Sequence, residues 1–293
     1  MKTAYAKYFS SLILFGSNGI LASFVLLSSV QITVMRTLFG SLILLVILFV
    51  IRSKPFNKAS KKDVVLILIS GLFMGASWIF QYEAFIHIGI GTTSLIYCLG
   101  PILLIVVSPL IFKEKLTLKR VVFFAIALSG IVLINIEMSS LEGNAFGLFC
   151  ALMCALCYTA FIVLNKHAKT RGLKNSFLQL FGALLISTII CFTLGELPFT
   201  IPTESLTPLL ILGFINTGLG CYLYFSGIGS LSAQSVAVCD YLEPLLAIVL
   251  SAIILHESLS VLQIFGGLLI VVGALGSELF TTGNKRFATK PKA

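Results

Sequence analysis

Asp240 and Glu243 stand three residues apart inside an otherwise apolar stretch, and Pro244 follows directly. On a helix that spacing puts both carboxyls on one face. The proline removes the backbone donor that would otherwise bond the carbonyl of Asp240. Ionisable groups in hydrocarbon are costly and usually face a cavity or a partner, and two close carboxylates in low dielectric cannot both ionise easily. Such a pair can bind a cationic or amine-bearing molecule, or carry a coupling proton. The plainer alternative is a pair capped by polar neighbours that only stiffens its helix.

Arg36 is the one basic residue inside an apolar run. Its stem can snorkel to the surface, or its guanidinium can serve as counter-ion to Glu83 or to a substrate carboxylate. Arg36 and Glu83, with His87 close by in sequence to Glu83, are therefore read as an outer gate. Trp78, Gln81, Tyr82 and Phe85 share a helical face, while Asn18, Tyr158, Tyr222 and Tyr224 place polar or aromatic groups in other runs. Aromatic walls suit organic cations and ring-bearing metabolites, although aromatics are also ordinary packing and lipid-facing residues. Cys150, Cys154 and Cys157 lie on one face, where small residues permit close helix packing. The histidines His87, His167 and His256 lack metal-ligand spacing, so no metal or other cofactor is expected. No phosphate-binding Gly-x4-Gly-Lys-[Ser/Thr] loop is present, which argues against ATP coupling.

The elements that must position these residues follow from composition. Apolar residues make up 58% of the 293 and charged residues 11%, and the mean hydropathy is +1.08. Too little polar surface remains to cover a soluble domain. Apolar runs of about 20 residues match a hydrocarbon core of about 30 Å, and they lack the alternation of barrel strands. The spans expected are 8–27, 33–51, 64–86, 92–112, 121–136, 146–164, 176–194, 206–227, 235–255 and 260–280. The first is read as a retained helix rather than a leader.

Nearly all lysines and arginines then fall on one side: before span 1, between spans 2 and 3, between 4 and 5, between 6 and 7, and after span 10. Cationic loops resist translocation, so both termini are expected in the cytoplasm of a multi-pass inner or plasma (cell) membrane protein. A net charge of +9 is thereby explained by topology, with no nucleic-acid partner needed.

The chain repeats itself. Pro101, Leu103, Ile105, Val106 and Ser108 align with Pro244, Leu246, Ile248, Val249 and Ser251, and without a gap Glu114 falls on Glu257, Leu116 on Leu259, Thr117 on Ser260 and Gly130 on Gly273. Each copy holds five spans, an odd number, so the second copy must cross in the opposite sense. The fold class expected is all-α and polytopic, with ten transmembrane helices as two inverted five-helix repeats: 1–140, then 141–283, then a basic cytoplasmic tail, 284–293. Inverted repeats support alternating access about a midplane site. Pro101 and Pro244, at equivalent points, are read as hinges.

These paired Pro-x12-Glu-x-Leu-[Thr/Ser] segments, each followed by its glycine, resemble the EamA-type family of the drug/metabolite transporter superfamily over nearly the whole chain. The resemblance implies a carrier with a cavity between its halves, often exporting amino acids, other metabolites or toxic compounds. It also supports Glu243 more than Asp240, because similar carriers often show Leu-Glu-Pro there. The substrate class expected is amino acids, amines or related compounds, exported and with a proton as candidate coupling ion. The partners are that small molecule and the lipid bilayer, and a homodimer stays open. The rival class is an integral-membrane enzyme acting on a lipid-linked substrate, which would need a polar catalytic cluster that the sequence does not display. An ion channel would show polar rings instead of paired halves.

Overall fold

The computed structural model describes residues 2–50, 60–97, 99–114, 117–136, 145–243, 245–246, 249–250 and 261–282. Every regular element among them is helical: α1 (Lys2–Gly16), α2 (Asn18–Ser23), α3 (Ser29–Val50), α4 (Lys61–Tyr97), α5 (Leu99–Phe112), α6 (Leu118–Ile136), α7 (Ala145–His167) and α8 (Leu173–Thr193). After α9 (Thr203–Leu210) comes a π-helical segment (Ile211–Leu219), then α10 (Gly220–Ile228), α11 (Ala233–Cys239) and α12 (Val261–Thr282). Among the described residues, five stretches are long and apolar enough to cross a bilayer: α3, Lys61–Ile88 of α4, α7, α8, and the continuous rod Thr203–Ile228. Their outward faces carry large apolar side chains, such as Phe49, Leu156 and Phe192, which lipid would cover.

The helices depart from the expected spans at three places. The first span is broken at Ser17 into α1 and α2. Ser17-Asn18-Gly19 are poor helix formers, and the Asn216 Nδ2 donates to Leu14 O and Ser17 Oγ, both at 2.8 Å. The turn expected between residues 86 and 92 is helical; α4 runs on to Tyr97, and α5 starts at Leu99. Residues 87–91 contain no proline to end the helix where the turn was expected. The ninth span is interrupted: α11 stops at Cys239 with Asp240 as its C-cap, and helical residues resume at Leu242. A proline at 244 clashes with the carbonyl four residues back, that of Asp240. Pro244 itself, like the basic tail at 284–293, lies outside the described residues.

Helix directions can be read from close approaches. Ser70 Oγ donates to Phe161 O and Ser77 Oγ to Cys154 O, so α4 and α7 run antiparallel. Gly220 abuts Phe15 and Gly227 abuts Tyr8, so α1 and α10 do too. On α6 and α12 the approach is reciprocal: a Cβ at Gly130 would lie 2.4 Å from Gly266 O, and one at Gly273 would lie 2.6 Å from Phe123 O. Between α5 and α11 the tie is polar. Glu114 accepts the N–H groups of Ala233 (2.8 Å) and Gln234 (3.2 Å) at the start of α11, and Gln234 Nε2 donates to Ser108 Oγ at 3.0 Å.

Because backbone abuts backbone at Gly130 and Gly273, either position changed to Leu should lower stability by about 1–3 kcal/mol through overpacking. Thermal melting of the purified variants in detergent should show the drop, with Ala milder than Leu at both sites.

Candidate functional site

Asp240 ends α11 in the middle of the bundle and is almost wholly buried. Tyr8 OH of α1 donates to its Oδ1, and Tyr158 OH of α7 donates to its Oδ2. Tyr8 in turn packs against Tyr224 of α10, with ring centroids 5.0 Å apart. Asp240 thus binds three helices through a carboxylate whose two oxygens are each engaged.

Glu243, one turn on, is different. It is partly exposed to a narrow cavity of about 40 Å³, shared with Asn18, Trp78, Gln81, Tyr158 and Asp240. No hydrogen bond to its carboxylate is formed among the described residues. The two acids therefore differ in their surroundings: both oxygens of Asp240 are hydrogen-bonded, whereas Glu243 has no hydrogen-bonded partner among the described residues. Their counterparts in the first copy, Tyr97 and Gly100, both pack against Tyr158. Its ring centroid is 5.3 Å from that of Tyr97, and a Cβ at Gly100 would come within 2.7 Å of its Cδ1.

Arg36 is 1% exposed, so it does not snorkel. Its guanidinium lies 4.0 Å over the Trp78 ring, Nε donates to Thr217 Oγ1 at 3.0 Å, and Nη1 donates to Tyr82 OH at 2.5 Å. Nη2 is buried without a partner.

No ion pair joins Arg36 to Glu83. Glu83 accepts instead from Ser29 Oγ at 2.5 Å and meets His87 Nε2 at 3.2 Å. The physical reason is helical phase: Tyr82 and Glu83 are consecutive, about 100° apart around α4, so the face that meets Arg36 cannot also present Glu83. Tyr222 also departs from expectation. It lines a separate groove with Lys7, whose ammonium sits 5.5 Å over its ring. Pro101 is buried near the described start of α5, two residues after Leu99.

The π segment supplies residues that sequence reading missed. Its wider turn lets Thr217 Oγ1 donate to Leu212 O (2.7 Å) while receiving Arg36. Asn216 meanwhile reaches Asn18 Oδ1 at 3.0 Å. Such bulges concentrate at functional sites. A polar Asn-Thr pair within an apolar run was the available signal. For Tyr8 there was none, since a tyrosine near a helix end resembles an interfacial anchor. No group of His, Cys, Asp and Glu able to hold a metal occurs among the described residues.

A model of the EamA-like transporter family matches the chain twice, over residues 3–136 and 145–278. YxxF of Bacillus subtilis (strain 168), an uncharacterised transporter, is 26% identical over 289 residues, covering 92% of this chain and 89% of that protein. YetK of the same organism, also an uncharacterised transporter, is 26% identical over 256 residues, covering 82% and 75%. Protein PecM of Dickeya dadantii (strain 3937) is 25% identical over 231 residues, covering 77% of each. A solved crystal structure superposes with a TM-score of 0.78 at 16% identity, covering 95% of this chain and 98% of that one, a likeness of fold.

Removing either tyrosine hydroxyl leaves an oxygen of a buried carboxylate unbonded. Tyr8→Phe and Tyr158→Phe should each cost about 1–3 kcal/mol. In a double-mutant cycle with Asp240→Asn, thermal melting should show losses that are not additive.

Proposed function

From the premise that this chain belongs to the EamA-like transporter family, we propose that it is a secondary carrier that exports small amine-bearing metabolites by alternating access. Family membership makes it a multi-pass membrane transporter and sets aside the membrane enzyme weighed from the sequence. The observation that carries the finer reading is Glu243: an acidic side chain deep in an apolar bundle, facing the cavity, with no hydrogen-bonded partner among the described residues. A carboxylate so placed is most cheaply satisfied by a cation, either a substrate ammonium or a proton. The unpartnered Nη2 of Arg36 offers a second charge, suited to a carboxylate on the same molecule.

Ten spans in two inverted halves are favoured by the packing directions. Exchange of the halves turns the antiparallel pair α4–α7 into the pair formed by α1 and the rod ending in α10, and it maps the reciprocal α6–α12 contact onto itself. A cavity of about 40 Å³ holds a few waters and no metabolite. Cargo must therefore enter a more open conformation than this one, as alternating access requires. Glu243 exchanges a proton for the amine in this scheme, so the proton gradient drives export.

Two experiments test it. Untargeted profiling of medium and cytosol from cells overproducing the wild type should show a compound enriched outside. Glu243→Gln at equal expression should cut that enrichment at least about tenfold, the loss of one contact of about 1.4 kcal/mol, and flatten its pH dependence. Unchanged export by Glu243→Gln would rule the coupling role out. For topology, alkaline phosphatase fused after Glu142 should be active and fused at the C-terminus inactive. The reverse pattern would overturn the orientation with both termini cytoplasmic.

A further inference from the structure

A second groove of about 650 Å³ opens on the flank of the bundle between α1, α3, α8 and the π–α10 rod, apart from the Glu243 cavity. Its walls are apolar, with Ile43, Ile47, Phe214 and Leu219 among them, and Ile47 and Leu219 are exposed on the surface that faces lipid. One end is built for an anion. Lys7 rests over the Tyr222 ring. Arg171 donates to the carbonyls of Asn165 and Lys166, at 3.2 and 3.3 Å, and among the described residues neither cation has a carboxylate at hydrogen-bond distance. Asp63, the nearby acid, is already engaged by the N–H groups of Lys169 and Thr170 and by the Thr170 hydroxyl.

Two further features point into the same end. The Ser226 hydroxyl lines the groove, and its oxygen is buried without a hydrogen-bond partner. Gly172 and Leu173 begin the 21-residue helix α8 there, and no side chain caps its first N–H groups. Helix N-termini and basic side chains together favour phosphate. An orphaned hydroxyl beside them completes a set of donors.

We propose that this groove binds one anionic phospholipid. Its phosphate sits among Lys7, Arg171, Ser226 and the start of α8, and an acyl chain lies along Ile47 and Leu219. The bound lipid bridges α1 to α8 and α10. A soluble phosphate ester would use the same donors but has nothing to place on the apolar walls, so lipid is the occupant that matches both halves of the groove.

The test is native mass spectrometry of the delipidated full chain, offered palmitoyl-oleoyl phosphatidylglycerol or phosphatidylcholine with the same acyl chains. The wild type should retain one phosphatidylglycerol in preference. Lys7→Gln should reduce that preference about fivefold, equivalent to about 1 kcal/mol for one basic contact. Ser226→Leu, which fills the floor and changes no charge, should reduce it as much while melting like the wild type in phosphatidylcholine. Lys61→Gln with Lys62→Gln, which removes two basic residues that do not line the groove, should leave it unchanged. Four results would overturn the proposal. They are no headgroup preference in the wild type, a loss with Lys7→Gln but none with Ser226→Leu, displacement of the lipid by glycerol 3-phosphate, and a delipidated dimer that excludes lipid.

Discussion

Hydrocarbon offers no hydrogen-bond partner, so a charge placed inside it must be solvated by the protein itself. Asp240 and Arg36 show what this demands. Asp240 takes its solvent from Tyr8 and Tyr158, and in doing so ties α1, α7 and α11 together. Arg36 takes its own from Tyr82, Thr217 and the face of Trp78, tying α3 to α4 and the π segment. Two buried ions thereby organise six of the elements around the cavity, and the packing of the remaining helices closes over them.

The irregular backbone lies where this solvation needs it. Broken helices are tolerated at membrane depth only where protein or a cavity, and not lipid, surrounds the freed groups. The α1–α2 break is held by Asn216, the π turn aims Asn216 and Thr217 in different directions, and α11 ends at Asp240. All three meet at the cavity, and each supplies at least one polar group to it or to its supports.

The two copies are alike in framework and unlike at the centre. Reciprocal glycine contacts join α6 to α12, where lipid-facing helices gain mainly from close packing. At the core, Tyr158 is pressed against Tyr97 and Gly100 of one copy while its hydroxyl serves Asp240 of the other. Where the first copy has a tyrosine and a glycine, the second has two acids, so both carboxyls that line the cavity at this level come from one half. The apolar flanking groove, with its basic end, belongs to neither centre and faces the surrounding membrane.

Composition and apolar run length by themselves determined a helical membrane protein, because no other solvent suits such a surface. The repeat was legible too, since Pro101, Glu114 and Gly130 recur in register as Pro244, Glu257 and Gly273. The three-residue spacing of Asp240 and Glu243 placed both acids on one face, and that face does meet the cavity. Only the tertiary structure decided which acid is saturated, because Tyr8 and Tyr158 lie 232 and 82 residues from Asp240 along the chain. It also turned Arg36 away from Glu83 and Tyr222 away from the cavity. Sequence spacing gives the phase of a residue around its own helix, but the face a neighbouring helix presents is set by packing, and a buried charge goes wherever that packing supplies its solvent.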